Sequence, residues 1–154
     1  MENLYRVLKP YEDPSNGIKA DDPYANYTVK EHVGHGYLKT QYISTCKTLD
    51  AVRDFAEKGK PFAAGQGTTG KRKIVEINVG KLQQHVPGCI YIDLPVVLDT
   101  YIPYRTDGSN DRARNFARKF DEVLLQLPVI KQPPKLDSTG QLIPPQCISV
   151  IGCV

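Results

Sequence analysis

Along this chain the spacing of apolar residues switches between a period of two and a period near 3.6, the signatures of half-buried strands and amphipathic helices. "LYRVL" places Leu4, Arg6 and Leu8 on one side of a short strand candidate that Pro10 stops. From Tyr11 to Tyr27, Asp, Asn, Pro and Gly dominate, which predicts a loop. "TVKEHVGHG" predicts one or two helical turns ended by glycine, and "TQYIST", β-branched and aromatic, a second strand. The clearest helix is "TLDAVRDFAEKG": Thr48 is its N-cap, Leu49, Val52, Phe55 and Ala56 share a face, and Gly59 closes it. Strands "KIVEINV" and "CIYIDL" follow, then a helix through "SNDRARNFARKF" and a strand at "DEVLLQL". In the second helix Ala113, Phe116, Ala117 and Phe120 recur at helical spacing. A proline-rich loop leads to a final strand around Cys147 to Ile151. Few helices, many short strands and no internal repeat predict one α+β domain over residues 1–154.

Composition narrows this picture a little. At 154 residues the chain is long enough to bury a real core, and 40% hydrophobic with 24% charged residues is ordinary for a soluble globular protein. A net charge of +3 is too small to argue for nucleic acid, and the basic stretch from Arg105 to Lys119 is diluted by Asp107 and Asp111. Cys46, Cys89, Cys147 and Cys153 are scattered without a C-x-x-C pair, so neither structural zinc nor a disulfide framework is expected. No signal-peptide pattern opens the chain, and no apolar run reaches membrane-spanning length. The expectation is a protein soluble in the cytoplasm where it is made, with no membrane partner, although signal-independent export would leave no trace.

"AAGQGTTGKRKIVEI" holds the one spacing that suggests phosphate binding: Gly65 and Gly70 with Lys71 directly after. A phosphate loop needs a strand before it, a helix after it, and Ser or Thr behind the lysine. Arg72 stands in that last position, a helix end precedes, and a strand follows. The stretch is therefore read as a loop between helix and strand.

No carboxylate pair, Ser/His/Asp order or nucleophile elbow stands out. Three short stretches become informative through their order: "LYRVL", "QYISTC" and "DEVLLQL". That order resembles the Arg-Ser-Glu class of the ADP-ribosyltransferase superfamily, nearest in pattern to the pierisin- and scabin-like toxins and more distantly the cholera-toxin group. The matching residues are Arg6, then Ser44 with Thr45, then Glu122 with Val123, supported by the "LDAVRDFA" helix after the S-T strand and by "IPPQCI" near the end. The resemblance implies a split β-sandwich of two small sheets flanked by short helices, with a cleft for NAD between them. It implies that NAD is consumed as substrate without a metal. The acceptor of ADP-ribose is left open among protein, nucleic acid, small molecule and water.

Within that picture Glu122 is the catalytic carboxylate, accepting a hydrogen bond from the ribose 2′-hydroxyl as positive charge develops on the sugar. Arg6 offers a planar fork to phosphate or ribose oxygens. Ser44 holds Glu122, Thr45 supports the strand, Tyr42 flanks the nicotinamide pocket, and His32, a better match than His35, fills the histidine position of cholera-toxin-like members. Taken singly, Arg6 reads as a surface ion-pair partner, Ser44 and Thr45 as strand-end residues, Glu122 as a polar strand start, His32 as a surface histidine and Tyr42 as a half-buried strand aromatic. Their order as a set is what favours a shared site. One departure is plain: toxin members carry Glu or Gln two residues before the catalytic Glu, and here that position is Phe120, with Asp121 expected on the opposite face of the strand. Modification of arginine is therefore doubtful, while NAD hydrolysis or transfer elsewhere survives. Two further readings stand beside the enzyme: a fold-sharing binding module without chemistry, and an interaction protein docking through "KQPPKL".

Overall fold

A computed structural model describes residues 2–64, 72–129 and 141–153, with the backbone alone for 59–64. Both the glycine-threonine loop 65–71 and the "KQPPKL" segment, 131–136, lie outside the described residues. Among the described residues, six strands form one antiparallel sheet: β1 (Asn3–Val7), β2 (Tyr42–Cys46), β3 (Lys73–Asn78), β4 (Ile90–Asp93), β5 (Glu122–Gln126) and β6 (Ile148–Cys153), in the spatial order β4-β5-β2-β1-β3-β6. The helices are α1 (Val29–Gly34), α2 (Leu49–Ala64), α3 (Val79–His85), α4 (Leu94–Tyr101) and α5 (Asp111–Lys119). The architecture is α+β, as the hydrophobic pattern predicts.

The expected pair of separate sheets is replaced by a single sheet with a weak middle. Its halves, β4-β5-β2 and β1-β3-β6, meet through one register pair, Tyr5 with Cys46. Elsewhere neighbouring strands pair over four or five residues. The reason is local: the Ser44 carbonyl, instead of extending the ladder to β1, accepts a 2.7 Å hydrogen bond from the Arg6 guanidinium.

Helix α2 begins as expected, with the Thr48 hydroxyl accepting from the Ala51 amide at 3.2 Å. It runs past Gly59 to Ala64. Glycine inside a helix costs about 1 kcal/mol relative to alanine and does not by itself end it. Helices α3 and α4 take up stretches that the pattern leaves unassigned, apart from Val79 and Leu94, the last residues of the two strand readings. Asn78 caps α3 by accepting from the Lys81 amide at 2.9 Å. Pro95 sits in the first turn of α4, where a missing N–H removes no helical bond.

Strand β5 shows how the core is divided. Residues 122–125 are all buried; Val123 and Leu125 join Leu4, Val75 and Ile77 in one cluster, while Leu124 joins Val29, Leu94 and Ile102 in another. A third cluster, containing Val7, Val52, Ile74 and Phe120, lies under α2. Buried apolar area of this kind supplies roughly 25 cal/mol per Å², and among the described residues it surrounds a few buried polar side chains, Arg6, Thr45 and Glu122 among them.

Candidate functional site

Where the sheet is weakest, a cleft of about 210 Å³ opens, lined among others by Arg6, His32, Tyr42, Ser44, Phe120 and Glu122. Side chains alternate along a strand, and Cys46 pairs with Glu122. Tyr42, Ser44, Cys46 and Glu122 therefore share one face. Residues 78 apart in the chain touch there: the Ser44 hydroxyl donates to Glu122 Oε1 at 3.2 Å. Thr45 alternates to the other face, where its hydroxyl donates to the Val123 carbonyl at 2.7 Å, tying β2 to β5.

Arg6 reaches the cleft from β1 and is 8% exposed. One of its terminal nitrogens bonds the Ser44 carbonyl, and the other lies 3.0 and 3.2 Å from the two oxygens of Glu12. Glu12 is itself anchored by the Lys9 amide, which donates to it at 2.8 Å. Arg6 and Glu122 thus flank Ser44 without pairing with each other. Among the described residues, Arg6 Nε and Glu122 Oε2 are buried with no hydrogen-bond partner.

His32 is delivered by α1, whose start is fixed by a reciprocal capping box between Thr28 and Glu31. Its Nε2 lies 2.6 Å from Ser44 Oγ and its Nδ1 2.6 Å from Thr40 Oγ1. The ring meets Tyr42 edge-on at 5.4 Å, and the Tyr42 hydroxyl donates to the Tyr27 carbonyl at 3.2 Å. His32 is therefore part of the cleft rather than a surface histidine.

Burial sets the electrostatics. It pushes the Glu122 carboxyl up to about 7, against the opposing pull of the Ser44 hydroxyl. Burial, and then the positive charges of Arg6 and Lys9, hold His32 down to about 4 in spite of Asp21. At neutral pH the site contains an uncharged imidazole and a carboxyl near its midpoint. Cys46 shares their face, but burial and the neighbouring Glu122 push its thiol up to about 12, which removes thiolate chemistry.

The position two before Glu122 is closed by an aromatic cluster. Phe120, 5% exposed, packs edge-on against Phe55 at 5.3 Å and Phe116 at 4.8 Å. Asp121 is not in the strand at all. It adopts a left-handed φ of 44°, which aspartate tolerates better than most residues, and its carboxylate accepts from Thr48 at 3.1 Å. Neither residue places an acid beside Glu122. Among the described residues no cluster of His, Cys, Asp and Glu could hold a metal ion, and no helix is long and apolar enough to cross a membrane.

The cleft brings together Arg6, His32, Tyr42, Ser44 and Glu122; Thr45 also lines it, with its hydroxyl committed to the Val123 carbonyl. Two participants escaped sequence reasoning. Glu12 lies in a segment legible only as polar loop, and Thr40 opens "TQYIST", legible only as part of a strand candidate, and lies just ahead of β2. No protein-family model matches the sequence, and a search of curated proteins returns no match.

Proposed function

We propose that this chain is an NAD-consuming enzyme of the ADP-ribosyltransferase type, which cleaves the bond between nicotinamide and ribose and passes ADP-ribose to an acceptor or to water. The observation that carries the reading is the meeting of Arg6, Ser44 and Glu122 around one cleft. These are three residues that the family resemblance selects by order alone, and they come from three different strands. The narrow junction between the two halves of the sheet is consonant with the split architecture of that fold.

The chemistry asks for few groups. Departure of nicotinamide leaves an electron-poor ribose, and a carboxylate hydrogen-bonded to the sugar's 2′-hydroxyl holds it more strongly as that charge appears. Glu122 Oε2, buried and unpartnered among the described residues, is the acceptor available for that bond, while Ser44 keeps Oε1 in place. Arg6 retains an unpartnered Nε–H for a substrate oxygen. Ionised Glu122 is the active form, so turnover rises with pH through about 7. With Phe120 in the position that handles acceptors in toxin members, water or an uncharged acceptor is favoured over an arginine side chain.

Incubation with NAD, scored by nicotinamide release, tests the proposal. Wild-type protein is expected to release nicotinamide and Glu122→Gln to be inactive; equal rates would refute it. Phe120 and the occupied fork of Arg6 favour one second reading, a binding module on the same scaffold. Saturable NAD binding without turnover distinguishes that case.

A further inference from the structure

We infer that Thr40 is a positioning residue of this site: its hydroxyl fixes His32 as the Nε2–H tautomer and thereby aims the Ser44 proton at Glu122. One donor in this series cannot reverse. The Tyr42 backbone N–H donates to Thr40 Oγ1 at 3.2 Å, and a backbone amide is never an acceptor. The oxygen could accept a second time, but Thr40 is 2% exposed and, among the described residues, its Oγ1 has no partner besides this amide and His32 Nδ1, 2.6 Å away, so the hydroxyl proton goes to His32. A neutral imidazole that accepts at Nδ1 carries its proton on Nε2. Nε2–H then faces Ser44 Oγ at 2.6 Å. Ser44 has a single proton to give, and with its oxygen occupied by His32 that proton goes to Glu122 Oε1, 3.2 Å away.

Four hydrogen bonds therefore run in one direction, from a fixed amide to the carboxylate, and bonds in such a series polarise one another. Without the Thr40 hydroxyl, His32 is free to carry its proton on Nδ1. Its bare Nε2 then competes with Glu122 for the Ser44 proton. The charged and titratable groups facing this series are Arg6 of β1, Lys9 and Asp21 of the loop after it, and Cys46 of β2. Lys19 and Arg72 line the same cleft. Replacing Thr40 by valine changes none of these charges and nearly conserves volume. The tautomer stands on geometry alone; its value for catalysis rests on the function proposed above.

The test is NMR of isotope-labelled full-length protein, with His32 assigned among the three histidines by the signal that His32→Asn removes. In wild type and Thr40→Ser, long-range imidazole spectra at pH 8 are expected to show the Nε2–H form of His32. In Thr40→Val they show a mixture of both tautomers. In parallel, the Glu122 carboxyl ¹³C titration in Thr40→Val moves up by about half a pH unit, half of what complete loss of a charge-assisted bond produces. In Thr40→Ser it stays put. Backbone amide spectra establish that each variant is folded, and Thr40→Ala carries the same expectation if valine disturbs packing. Three results overturn the inference: an Nδ1–H His32 in wild type, an unchanged tautomer and titration in Thr40→Val, or equal shifts in the serine and valine variants. None of these readings needs NAD, so they stand or fall separately from the proposed enzyme.

Discussion

Replacing Glu122 by glutamine is expected to change stability in a way that depends on pH. Burial raises its carboxyl to about 7 from an ordinary 4.5. A carboxyl with a raised folded pKa contributes its full share of stability below pH 4.5 and loses it as pH rises through 7. The shift of about 2.5 units, at about 1.4 kcal/mol each, makes the ionised carboxylate cost roughly 3 kcal/mol above pH 8. Glutamine keeps an oxygen for Ser44 and removes this penalty. Its amide nitrogen, placed where Oε2 has no partner among the described residues, adds a cost of about 1 kcal/mol that does not vary with pH. The diagnostic quantity is therefore the difference between variant and wild type at two pH values. Urea denaturation at pH 4.5 and 8.5 should move that difference by about 3 kcal/mol in favour of Glu122→Gln. For a chain of this length the same change amounts to roughly 6–12 °C in relative Tm. A stability difference that stays flat across the range would mean that Glu122 is solvated or paired, and the reasoning about the cleft would fail with it.

Other substitutions probe the surrounding parts. Glu12→Ala strands Arg6 in a pair whose side chains are 9% and 8% exposed, and should cost about 3–5 kcal/mol by urea denaturation at neutral pH. Phe120→Ala removes the centre of the Phe55–Phe116–Phe120 cluster. It is expected to lower stability by about 3–5 kcal/mol in the same measurement. Cys46, with its thiol pushed up to about 12, should resist iodoacetamide at pH 8 in the native state while exposed Cys153 reacts. Mass spectrometry of the alkylated protein reads both sites at once.

The parts of this fold that could be read from sequence are those whose pattern is locally self-sufficient. Helix α2 announces itself through Thr48 and the stripe Leu49, Val52, Phe55 and Ala56. Strand β2 is rich in aromatic and β-branched residues, and β5 carries Val123, Leu124 and Leu125 in a row. Helices α3 and α4 are hidden because each follows its strand without an intervening turn, so the strand readings "KIVEINV" and "CIYIDL" run into Val79 and Leu94, the first residues of the helices. The signals present were Asn78 as a cap and Pro95 in a first turn, both weaker than the run that masks them. The site divides in a similar way. Arg6, Ser44 and Glu122 were accessible through their order and His32 through its place in the chain. Glu12 and Thr40 act through contacts that only the folded chain creates. Nor could order show that Asp121 leaves the strand in a left-handed turn, a choice made by its bond to Thr48 and by the pairing of Lys47 with its carbonyl.

The central proposal is that a buried carboxylate on β5, held by Ser44, steadies an electron-poor ribose in the cleft that Arg6 also lines. Nicotinamide release from NAD, followed from pH 5 to pH 9, tests it most directly. Wild-type turnover is predicted to climb with a midpoint near 7, the value to which burial raises Glu122, and Glu122→Gln to show none at any pH. A wild-type rate indifferent to pH, or a glutamine variant as fast as the parent, would contradict the account.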